Sequence, residues 1–148
     1  MTSNDAGPPP WASRLGYAGM IPFVGLAAAL WWALPGDWHL ASMALLGYGA
    51  TVTSFLGAIH WGLMMRDGHA QPRLPWAWGV VPSLLGWVAL LLNPVPGLVL
   101  MAALLWACFL VDRILYPRYQ LQAWLPMRLW LTLAASISCM SAAVALLR

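Results

Sequence analysis

The chain has no lysine and no glutamate, and its 148 residues hold only seven arginines and four aspartates. Charged side chains make up 7% of it and hydrophobic ones 62%. A soluble domain carries roughly 25% charged residues, so this chain cannot cover a water-facing surface. The arginines are scattered singly, which excludes the clustered basic footprint of a nucleic-acid binder. Cysteine is scarce too. Cys108 and Cys139 sit in apolar runs, without C-x-x-C spacing and without a histidine close by. They read as small packing residues, not as a metal or redox pair. H-E-x-x-H, GxSxG and GxGxxG are absent, and a haem would need a second axial histidine inside a span. The tetrapeptide Gly47–Ala50 resembles part of a potassium filter but lacks its order and lies in an uninterrupted helical run. The sequence therefore points to no catalytic set, no metal and no cofactor, and away from an enzyme.

What is present is a series of long apolar runs. A spanning helix needs about 20 mostly apolar residues, and five segments qualify: about 15–34, 41–65, 74–92, 97–116 and 127–147. Short breaks separate them, with "PGDWH" after the first and "NPVP" after the third. The fold class expected is all-α, a polytopic integral membrane bundle of five helices over 14–148. Residues 1–13, polar and proline-rich, form a disordered cytoplasmic tail. The first apolar core is too long for a cleaved signal peptide.

Five spans put the termini on opposite sides. Arg14, Arg66, Arg73, Arg113, Arg118 and Arg128 then share the amino-terminal side, and only Arg148 lies on the other. The positive-inside rule places the amino terminus in the cytoplasm and the carboxy terminus in the periplasm of a bacterial inner membrane. Trp11, Trp76, Trp78 and Trp124 mark one interface, and Trp31, Trp32 and Trp38 the other.

His60 is the one histidine inside a span, roughly 9 Å in from Arg66 along the helix. Pro22, Pro82 and Ser83 fall at similar depth on the first and third spans. Each proline lacks an N–H and displaces the carbonyl four residues earlier, here those of Ala18 and Trp78. The expectation is that His60 donates to such a carbonyl or to Ser83. Intramembrane ionisable residues also mark functional sites, so proton handling or headgroup binding is the functional reading of His60. Asp112 either snorkels to the interface or pairs with His60 or Arg66, and Arg128 snorkels to lipid phosphate. Gly47, Ala50, Ser54 and Gly57 make a small-residue stripe for helix packing.

"LGYAGMIPFVGLA", "YGATVTSFLGAIHWG", "VVPSLLGW" and "LVDR", in that order, resemble the bacterial family called domain of unknown function 3429, which takes in the transmembrane protein 69-like proteins of eukaryotes. The resemblance runs over nearly all of the chain after the tail. It matches at Pro22, Phe23, His60, Trp61, Gly62, Pro82, Ser83 and Asp112. It implies a small multi-pass protein of the bacterial inner membrane, and no reaction. The candidate polar site is accordingly His60, Trp61, Ser83, Pro22, Pro82 and Asp112. The function expected is that of a non-enzymatic accessory or scaffold subunit, packed in the lipid bilayer against a larger membrane complex. The alternative is a small transporter, channel, or lipid- or quinone-binding protein using the His60 region.

Overall fold

The computed structural model describes residues 7–32, 38–67 and 73–148. All regular structure in these residues is helical: α1 (Pro10–Ala18), α2 (Met20–Trp32), α3 (Trp38–Asp67), α4 (Arg73–Trp78), α5 (Val81–Leu91), α6 (Pro94–Leu115) and α7 (Leu125–Ala145). Two 3₁₀ turns, Tyr116–Tyr119 and Gln122–Trp124, join α6 to α7. Between them Gln120 takes a left-handed conformation, φ 58°. Proline stands at the first or second position of α1, α5, α6 and α7. Its missing N–H costs nothing there, because the first turn has no acceptor to offer.

Four segments are long and apolar enough to cross a membrane: Pro10–Trp32, Trp38–Arg66, Pro94–Tyr119 and Gln122–Ala145. Trp76–Leu91 is a shorter apolar helix. The uninterrupted third span expected at 74–92 is instead two helices meeting at Gly79–Val80. Pro82 brings no N–H to the Trp78 carbonyl, and Val80 N–H turns back to Ala77 O at 3.1 Å. The first segment is divided at Gly19 in the same way, three residues before Pro22. Its helix starts at Pro10, inside the stretch read as tail; residues 1–6 lie outside the described residues.

The helices close a ring in which α2 packs on α7, α7 on α6, α6 on α5, α5 on α3 and α3 back on α2, with α3 touching α6 across the middle. Leu30, Leu45, Leu46, Leu98, Met101 and Cys139 fill the centre, each at most 1% exposed. The outward faces are equally apolar: Ile21, Leu40, Phe55, Leu91, Trp130 and Ile137 are all more than 60% exposed. A helix apolar all round belongs in lipid, and the protein is a membrane protein.

Small residues set the helix spacing. A Cβ on Gly86 would lie 2.9 Å from Thr53 Oγ1, and one on Gly97 would lie 2.6 Å from the Ala89 carbonyl oxygen. Gly57 meets the Gly79 backbone and the Pro82 ring. Gly47 does not take part, since nothing lies within 4 Å of where its Cβ would stand. Ser54 spends its hydroxyl on its own helix, at Ala50 O, 2.8 Å. Of the expected stripe, Ala50 and Gly57 make the close approaches.

Candidate functional site

Three helices each bring one ionisable group to a single buried point. On α6, Asp112 shares the inward face with Leu105, Cys108 and Leu115, at helical spacing. Its Oδ1 lies 3.0 Å from His60 Nε2 on α3. Its Oδ2 accepts from Arg128 Nε at 2.8 Å and Nη2 at 2.6 Å on α7. His60 and Asp112 are 1% exposed and Arg128 7%. The carboxylate accepts only, so His60 Nε2 carries the proton toward it. His60 Nδ1 is buried and has no hydrogen-bond partner. The Tyr116 ring lies against the imidazole, 6.3 Å between centroids.

The structure thus brings together two of the six candidate positions, His60 and Asp112. His60 does not reach a proline-freed carbonyl or Ser83. Ser83 Oγ donates to Val80 O at 2.7 Å on its own turn. Two other α3 side chains supply the donors near the breaks. Tyr48 Oη donates to Gly19 O at 2.8 Å, and Trp61 Nε1 donates to Trp76 O at 2.9 Å. Trp61 and Pro82 therefore belong to the corner where α3 meets α4 and α5, and Pro22 to the α1–α2 break. The carboxylate of Asp112 is a stronger acceptor for His60 than a backbone carbonyl.

Arg128 corrects the sequence reading. It does not snorkel to lipid; it is the principal partner of Asp112. A carboxylate in a span needs a cation at its own depth, and Arg128, just inside the last span, was such a residue. Arg113, next to Asp112 in the chain, points outward and is exposed. Cys108 and Cys139 are buried and free.

Beside this cluster lies a cavity of about 440 Å³ walled by α1, α2, α3, α6 and α7. Arg128, Tyr116 and Thr132 stand in its lining among mostly apolar side chains. Trp11, Leu15 and Phe55, also in the lining, are 66%, 68% and 66% exposed. The cavity therefore opens sideways through the outer surface of the bundle. Thr132 Oγ1 is buried without a hydrogen-bond partner. Nothing in the sequence marked Thr132 beyond its place one turn from Arg128.

The family model described as "Protein of unknown function (DUF3429)" matches residues 8–144. The chain is 38% identical over 86 residues to "Transmembrane protein 69" of Xenopus tropicalis, a match covering 54% of this chain and 32% of that protein. The chain thus spans about a third of that relative's length. No solved structure matches it.

Proposed function

The chain belongs to the DUF3429 family of proteins of unknown function, and we propose that it binds a lipophilic small molecule within the bilayer. The observation that carries this is the laterally open, apolar cavity of about 440 Å³ whose wall includes Arg128, the partner of Asp112. That volume falls in the range of small-molecule sites, roughly 300–1,000 Å³. A ligand diffusing in the membrane enters through the side without crossing water, and the polar end fixes its orientation.

The topology proposed is five spans, with α4 and α5 together as the third. Arg73 to Leu91 would rise roughly 28 Å if continuous, close to the hydrocarbon thickness. The arginine distribution supports an amino terminus in the cytoplasm of a bacterial inner membrane. Met64 meets Tyr119 and Gly16 meets Met127 at the end carrying most of the arginines, while Arg148 stacks on Trp31 at the other. In a background without Cys108 and Cys139, Ser13→Cys and Arg118→Cys are expected to react with an impermeant maleimide only after the cytoplasmic face is exposed. Asn93→Cys is expected to react from outside on intact cells. Ser13 and Arg118 labelling from opposite faces would overturn the topology.

A second reading, the accessory subunit, draws on Gly25 and Gly47, which present open, side-chain-free surface on α2 and α3. One purification from native membrane in mild detergent separates the two. A lipophilic molecule retained in near-stoichiometric amount supports the binding protein. A stable protein partner with no retained small molecule would replace it with the accessory subunit.

A further inference from the structure

We infer that the ligand is a quinone in chemical class, a flat carbonyl-bearing ring on a lipophilic tail, with one carbonyl oxygen seated at Thr132 and Arg128. The inference rests on the binding function proposed above and specifies its ligand.

Thr132 supplies the first argument. Hydroxyls inside apolar helices ordinarily donate to a carbonyl three or four residues back. Thr51, Thr53, Ser54, Ser136 and Ser138 all do so here. Thr132, 2% exposed, does not, and its oxygen has no hydrogen-bond partner. It stands in the cavity wall with Arg128 one turn away on the same helix. The hydroxyl is buried beside the cavity with its bonding capacity unspent. Rotation about χ1, which a helical threonine divides between two rotamers, turns it to an acceptor seated there.

Charge selects the kind of acceptor. Asp112 takes one N–H each from Nε and Nη2 of Arg128, and a guanidinium has five N–H in all. The site thus offers N–H and O–H donors whose positive charge is already balanced. A fatty-acid carboxylate or a phosphate would bring a second negative charge beside Asp112, in a medium that screens little. A neutral carbonyl accepts from the same donors without that cost.

Wall chemistry selects the shape. Phe23, Tyr48, Phe55, Tyr116, Trp11 and Trp124 all line the cavity, and Phe23 and Tyr48 stand edge to face at 5.0 Å. Aromatic faces and edges reward a flat conjugated ring over a flexible acyl chain. The tail leaves past Leu15 and Phe55, where the cavity opens.

The test uses the full chain in nanodiscs, titrated with decylubiquinone and, separately, with decanoate, reading the fluorescence of the wall tryptophans with displacement to confirm saturable binding. Wild type is expected to bind decylubiquinone saturably and decanoate not at all. Thr132→Val, which keeps the shape and removes the hydroxyl, is expected to weaken quinone binding about tenfold. Thr132→Ser is expected to bind as wild type, and Thr132→Ala replaces the valine variant if that one fails to fold. Quinone binding unchanged in a folded variant lacking the hydroxyl overturns the seat assigned here. Saturable decanoate binding without quinone binding overturns the ligand class and leaves the binding function standing. Binding of neither overturns both.

Discussion

Asp112→Asn is expected to destabilise the protein by about 3–5 kcal/mol, the usual cost of leaving one member of a buried ion pair behind. The Arg128 guanidinium, 7% exposed, would keep its charge and lose both of its bonds to the carboxylate. His60 Nε2 would face a weaker, neutral acceptor. Arg128→Met should cost a similar amount, because Asp112 would then have only His60 to balance it. The double variant Asp112→Leu/Arg128→Met should recover more than half of the loss, since apolar groups of similar volume commonly replace a buried pair at little cost. It should not recover all, as His60 loses a buried partner worth roughly 1–3 kcal/mol. The measurement is the midpoint of thermal loss of monodisperse protein in mild detergent, for Asp112→Asn and across the cycle of wild type, Asp112→Leu, Arg128→Met and the double variant. Additive single losses would show that the two side chains do not act as a pair.

The second large effect concerns two glycines that read alike in the sequence. Gly57→Ala would drive a methyl into the Gly79 carbonyl, with the Pro82 ring 3.4 Å away. Backbone cannot rotate aside as a side chain can, so α3 and α5 would have to separate. Overpacking of this kind costs about 1–3 kcal/mol. Gly47→Ala meets open space and should stabilise the helix by up to ~1 kcal/mol through its higher propensity. Gly49→Ala falls between, because the atom it meets at 2.8 Å belongs to the flexible Met101 side chain. The same thermal assay should rank the three Gly47, Gly49, Gly57 from most to least stable. Equal behaviour of Gly47→Ala and Gly57→Ala would mean that the α3–α5 approach does not limit stability.

Two members of the candidate site are legible in the sequence. An imidazole and a carboxylate inside apolar runs are expensive enough in lipid to demand a partner, and that marked His60 and Asp112. Their partners are not: Asp112 pairs with His60 as one expectation had it, but its second partner is Arg128. Pro22 and Pro82 signalled carbonyls short of donors, and their sequence depth matched that of His60. Depth along an axis says nothing about direction around it. In the fold, Tyr48 and Trp61 face the two breaks, and His60 turns to α6 instead. Arg128 reads in the sequence as a snorkelling anchor, and a rotation of α7 about its axis is all that separates that role from the buried counter-ion it is.

Apolar length with proline and glycine punctuation determined by itself that this is an all-helical membrane protein, because lipid forces every backbone polar group to be satisfied within its own helix. Which side chains meet was decided only by the tertiary structure. Helices apolar on every face carry no stripe that selects an inward side. The close approaches of Gly57, Gly86 and Gly97 hold α3, α5 and α6 against one another, and α7 turns Arg128 inward on the same face as Ala135, Cys139 and Ala142. Together these bring His60, Asp112 and Arg128 to one point beside a cavity that no linear pattern records.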